Sequence, residues 1–147
     1  MQDYHELEIW QRAMTYAVEV YRFSSQLPDD ERYNLTAQLR RAVTSVPLNI
    51  AEGAACITNV EFAQFLGYAY RSLKEVATSL ELCQRLYPAA QSNVVLLDEG
   101  QQISKMVHTL RRLRKKTCTT WVTSVPCSRG QPAGIPRAVG DVAAALE

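Results

Sequence analysis

Residues 58–88 read "TNVEFAQFLGYAYRSLKEVATSLELCQRLYP", and their period decides the fold. Phe62, Leu66, Ala69, Leu73, Val76, Leu80, Cys83 and Tyr87 recur in alternating steps of four and three. That is the repeat of a coiled-coil-like seam, held over nearly four heptads. Thr58 and Glu61 form a T-x-x-E capping box, which satisfies backbone donors at a helix start. Pro88 lacks the donor that would continue the helix. One long helix therefore carries one apolar seam, which must be buried against other helices.

Helical periodicity dominates on both sides of this stretch. A first helix runs from about Leu7 to Ser25. At ~100° per residue, Leu7, Trp10, Met14, Ala17 and Tyr21 form one apolar stripe. Ile9, Ala13, Tyr16, Val20 and Phe23 form a second stripe beside it. Together they cover about half the cylinder, more than the ~100° a surface helix of a monomer needs. Two neighbours must bury this helix. Either it sinks deeper into its own bundle, or a second subunit covers one stripe and takes Tyr16 and Val20 as interface residues.

"QLPDDERYN" breaks the pattern, with Asp29 or Asp30 expected as N-cap. A second helix follows to about Cys56, with Leu35, Leu39, Val43, Val46, Ile50 and Ile57 as its core stripe and Gly53 weakening its last turns. "PAAQSN" is the next turn, and a fourth helix spans about Ser92 to Lys116 with Leu96, Ile103, Met106, Val107, Leu110 and Leu113 inward. Four helices joined by short loops give an all-α, antiparallel up-down-up-down four-helix bundle over residues 1–117. Residues 118–147 hold Pro126, Pro132, Pro136 and three glycines with no sustained period, and read as an irregular or disordered tail. The terminal "AAALE" resembles residues left by expression vectors.

Composition narrows the function. The 147 residues fit one domain, and the formal net charge is only +1. The start, "MQDYHELEIW", lacks the apolar run of a signal peptide, and no stretch approaches the ~18 residues of a membrane span. The expected setting is the cytoplasm, with no membrane partner. Cys56, Cys83, Cys118 and Cys127 make no CxxC pair and read as buried or free thiols. A di-metal bundle site needs two Glu-x-x-His pairs. The histidines are His5 and His108, and Lys105 stands three before His108, so no metal or cofactor is expected. There is no G-x-S-x-G elbow and no Gly-rich phosphate loop, so no catalytic residue is assigned.

The positive signal is charge. Up to residue 100 there are eight Lys+Arg against 13 Asp+Glu, whereas residues 101–117 hold six Lys+Arg and no acid. On the helical wheel Lys105, His108, Arg111, Arg112, Lys115 and Lys116 share one face of the fourth helix, opposite its apolar arc. Helix-end electrostatics favours cations by ~0.3–1 kcal/mol each. Yet Arg111 with Lys115, and Arg112 with Lys116, repel at i,i+4. The alternatives are a phosphate-tracking surface, a solvated face and a dock for an acidic protein. The stripe carries no interleaved aromatics, so backbone contact should dominate over base stacking. Arg114 falls in the apolar arc and must snorkel or meet a carboxylate. Arg40 is a weaker candidate for phosphate contact.

The second helix poses a further question in "RRAVTSVPLNIAEG", residues 40–53. Pro47 costs about 3 kcal/mol in a helix interior if uncompensated. Thr44 and Ser45 hydroxyls are placed to rescue freed carbonyls, and the expected result is a kink. Gln38, Arg41, Ser45, Asn49 and Glu52 form a polar strip of limited charge. The bend either wraps the core or turns the strip, with Arg41, Ser45, Pro47, Asn49 and Glu52, toward another subunit. Arg41 and Glu52 lie about 16 Å apart along one helix and pair only across chains.

"LEIWQRAMTYAVEVYRFSSQLPDDERYNLTAQLRRAVTSVPLNIAEG" and "EFAQFLGYAYRSLKEVATSLELCQRLY" resemble the 23S rRNA intervening-sequence proteins, with "QLRRAVTSVPLNIAEG" the most specific block. The resemblance covers about residues 5–116. One departure stands out: Arg71-Ser72-Leu73-Lys74-Glu75 replaces the family's usual Gly-Ser before Leu-x-Glu. The resemblance implies an antiparallel bundle assembling as a homopentamer, without known catalysis. It also implies kinship with the accessory variability determinants of diversity-generating retroelements, which bind a reverse transcriptase and nucleic acid through a basic surface. The function expected is thus a non-enzymatic homo-oligomer binding RNA or DNA backbone, as an accessory to another protein such as a reverse transcriptase. The alternative is an oligomeric protein-interaction scaffold with no nucleic-acid role.

Overall fold

A computed structural model describes residues 3–88 and 94–119, with backbone alone for 117–119. Four helices make the fold: α1 Glu8–Ser24, α2 Leu35–Ala55, α3 Asn59–Leu86 and α4 Val94–Thr119. No strand occurs among the described residues. Among the described residues no helix is long and apolar enough to cross a membrane. The expected tail, residues 118–147, lies outside the described residues except that α4 runs on through Thr119.

Each helix packs on its neighbours in sequence, and α1 closes the ring against α4. Contact registers show the antiparallel sense. Tyr21 of α1 meets Thr44 of α2, while Ser24 meets Arg40. Gln38 of α2 bonds Glu75 of α3, and Ser45 bonds Ser72. Tyr70 of α3 lies by His108 of α4, and Asn59 by Arg114.

The α3 seam behaves as its period requires. Phe62, Leu66, Ala69, Leu73, Val76, Leu80 and Cys83 are all buried, and Tyr87 caps the helix half-buried. The Thr58–Glu61 capping box forms in both directions. The start of α2 departs from expectation. Asp29–Glu31 forms a short 3-10 turn, and Asn34 stands at the N-cap position without a side-chain cap. Glu31 serves instead: its carboxylate accepts from Leu35 N–H at 3.2 Å and from the Tyr87 hydroxyl at 2.7 Å. The Tyr87 bond first, and the Leu35 bond second, hold this carboxyl below the usual range. Ile57 also departs: it sits beyond the end of α2 and is fully exposed.

Of the two α1 stripes, Ile9, Ala13, Tyr16, Val20 and Phe23 enter the core. Tyr16 and Val20 are therefore buried within this chain, which corrects their assignment to a subunit interface. The outer stripe is only partly covered. Tyr4 and His5, from the N-terminal 3-10 turn, pack their rings on Trp10, each with centroids 5.1 Å away. Met14 remains 41% exposed, Val18 48% and Tyr21 42%. Leu48 of α2, one turn past Thr44, is 55% exposed on the same flank.

α2 runs unbroken through Pro47, which is buried. The Thr44 and Ser45 hydroxyls bond the carbonyls of Arg40 and Ala42, not that of Val43, whose helical donor Pro47 removes. The polar strip is largely spent inside the chain. Gln38 and Ser45 bond α3, Arg41 bonds Gln38, and Asn49 donates to the Ser45 carbonyl at 2.7 Å. Arg41 and Glu52 remain exposed.

Two glycines set how closely helices approach. A Cβ on Gly53 would lie 2.6 Å from Phe62 Cδ2 and 2.9 Å from Phe65 Cβ. A Cβ on Gly100 would lie 2.6 Å from the Tyr16 hydroxyl, which is buried without a hydrogen-bond partner among the described residues. Burial, and then the Glu99 carboxylate, push the Tyr16 phenol far above its ordinary range.

Alanine in place of helical glycine normally stabilises by about 1 kcal/mol. Gly53→Ala is expected to do the reverse, because Phe65 Cβ is tied to backbone and overpacking costs about 1–3 kcal/mol. The urea midpoint should fall at unchanged m; a rise would show that α2 and α3 separate freely. Tyr16→Phe should leave stability equal or raise it by about 1 kcal/mol, since it deletes a buried unpaired hydroxyl. A loss in the same assay would mean that the hydroxyl is bonded in solution.

Candidate nucleic-acid interface

The apolar seam of α4 decides which way its cations point. Ile103 and Val107 are buried, and Leu96, Leu97, Met106 and Leu110 pack half-buried against the core. With that face inward, Lys105, His108, Arg112, Lys115 and Lys116 are all exposed. Leu113, expected inward, is 54% exposed. Arg12 of α1 fixes the helix at its acidic end. Its guanidinium donates to both Glu99 carboxylate oxygens at 2.7–3.0 Å and to Gln102 at 3.0 Å. This fork geometry suits a planar guanidinium and a carboxylate.

Arg111 differs from its neighbours. It is half-buried, and its Nε donates to the Ala63 carbonyl of α3 at 3.2 Å. Its guanidinium passes so close to Gly67 that a Cβ there would sit 3.2 Å from Cζ and Nη2. Gly67 thus makes the slot that holds Arg111 in place. Arg114 reaches across to α3. Its guanidinium lies 4.9 Å from the Phe62 ring centroid and donates to Asn59 Oδ1 at 3.0 Å.

The α3 helix supplies what the α4 stripe lacks. Tyr70 faces His108 with ring centroids 6.1 Å apart, and Lys74 Nζ lies 5.3 Å from the Tyr70 centroid. Arg71 is exposed and sits 4.8 Å from the Tyr68 ring centroid. Between α3 and α4 runs a groove of about 520 Å³ that reaches from Tyr70 and His108, past Lys74, Lys105 and Ser104, to Glu81. A smaller hollow of about 140 Å³ continues it against His108, Arg111, Arg112 and Lys115. The expectation of a stripe without aromatics holds for α4 alone; the assembled surface has them.

The structure brings Lys105, Arg111, Arg112, Lys115 and Lys116 onto one face and leaves Arg40 elsewhere. Arg40 lies at the α1–α2 seam, where its Nε donates to Ser24 Oγ at 2.9 Å and its guanidinium sits 5.2 Å from the Tyr21 centroid. α2 makes no packing contact with α4. The residues that sequence reasoning missed are Gly67, Tyr70, Arg71 and Lys74. Their signal was a tyrosine followed by cations on the flank of the α3 seam.

A model of the family described as 23S rRNA-intervening sequence protein matches residues 5–109. The chain belongs to that family. Comparison with curated proteins finds no match. Within this intervening-sequence protein, the matched segment takes in Tyr70, Lys74, Lys105 and His108, and stops short of Arg111, Arg112, Lys115 and Lys116.

Proposed function

We propose that this intervening-sequence protein is a non-enzymatic homo-oligomer that binds RNA or DNA backbone along its α3–α4 face, as an accessory to another protein. The observation that carries this reading is the outward aim of the cations along that face. Among the described residues, Lys105, Arg112 and Lys116 have no carboxylate within ion-pair distance. Helix-dipole effects fall off within the last turn, whereas Lys105, Arg111 and Arg112 stand about two to four turns before the end of α4. Cations spaced along a helix and aimed at solvent suit a chain of phosphates. A reverse transcriptase or another nucleic-acid enzyme is the class of partner that such an accessory would serve.

Self-association would use the opposite flank. Met14, Val18, Tyr21 and Leu48 leave apolar surface on α1 and α2, with Arg41 and Glu52 exposed beside it. That flank also supports the second reading, an oligomeric scaffold with no nucleic-acid role.

Anisotropy titrations against a labelled oligonucleotide at several salt concentrations separate the two. Affinity should fall steeply with salt, and Arg112→Gln, Lys115→Gln and Lys116→Gln together should reduce the log–log slope by roughly two to three. Absence of binding at low salt would retire the nucleic-acid reading. Light scattering should return a multiple of the 16.5 kDa chain mass, five copies if the assembly is the pentamer. Met14→Glu with Leu48→Glu should shift it toward single chains. A monomer at micromolar concentration in the unmodified protein would refute the oligomer.

A further inference from the structure

We infer that the α3–α4 groove takes an unpaired nucleotide, with its base stacked on Tyr70 and its phosphates on the rim formed by Lys105, Arg111 and Arg112. This rests on the backbone-binding reading above and specifies the strand that it takes. Tyr70 is a fixed platform: it is half-buried, packs against the core and stands beside His108 of the neighbouring helix. Lys74 over its ring shows that the face accepts an electron-poor group at 5.3 Å, and that group is a flexible, exposed side chain able to swing aside. The groove volume, about 520 Å³, falls within the ~300–1,000 Å³ of clefts that enclose small ligands.

Charge sets the orientation. Glu81 at the far end of the groove repels phosphate, whereas Lys105, His108, Arg111 and Arg112 cluster at the Tyr70 end and beyond it. The sugar-phosphate backbone is drawn to that end, which leaves the base to enter beside Tyr70. Arg111, already anchored by the Ala63 carbonyl, presents its guanidinium with little further ordering. A base inside a duplex has both faces covered by its neighbours and cannot offer one to a tyrosine. The groove therefore selects single strands, loops or bulges.

The test uses the full chain and three labelled probes of equal length: a mixed-sequence single strand, its duplex, and an abasic single strand. Base–aromatic stacking supports a gain of about tenfold or more per stacked base. The single strand should therefore bind about tenfold tighter than the abasic strand, and tighter than the duplex. Tyr70→Ala should close the gap to the abasic strand, while Tyr70→Phe keeps it. The comparison of probes on the unmodified protein decides the matter even if Tyr70→Ala fails to fold. Equal binding of abasic and base-bearing strands, or preference for duplex, overturns stacking and leaves the backbone reading standing. Failure of all three probes to bind at low salt removes both.

Discussion

The fold hangs on the continuous seam of α3. Phe62 through Cys83 present buried side chains without a break, so α3 must be covered on two sides at once. α2 covers one side and α4 the other, which makes α3 the central contact of the bundle. The hydrophobic effect supplies the drive, but it is non-directional and does not fix the spacing. Spacing comes from small residues. Gly53 lets α2 approach the Phe62 and Phe65 side chains, and Gly100 lets α4 come down onto Tyr16.

From that seam follows the electrostatic character of the surface. Burying Ile103 and Val107 rotates α4 until its cations face outward. The same packing lays Tyr70 and Lys74 of α3 alongside them. Arg12 holding Glu99 keeps the acidic end of α4 occupied with α1, away from the cationic half. Arg111 bridges the two descriptions, since it is both a packing element seated on Gly67 and part of the basic face.

The molecule thereby separates two kinds of surface. The α3–α4 side is cationic and grooved, and the α1–α2 side leaves Met14, Val18, Tyr21 and Leu48 exposed. Self-association through the second would leave the first open. The polar strip of α2 is bonded to α3 through Gln38 and Ser45. Short polar side chains at a helix–helix edge find partners on the adjacent helix more cheaply than on another molecule.

The sequence by itself determined the helices, the capping box at Thr58, the stop at Pro88 and the outward basic face of α4. Each of these is a local matter of period, cap chemistry or missing donor, and none requires knowledge of a neighbour. It also showed that α1 has more apolar surface than one core contact needs. Tertiary structure decided which of its two stripes is core, sending Tyr16 and Val20 inward and leaving Met14 and Tyr21 at the surface. It decided too that Arg40 lies apart from the α4 cations and that Tyr70 joins them. Helical period states which residues share a face of one helix. The rotation and height of that face against the next helix depend on close packing, and only the assembled core supplies it.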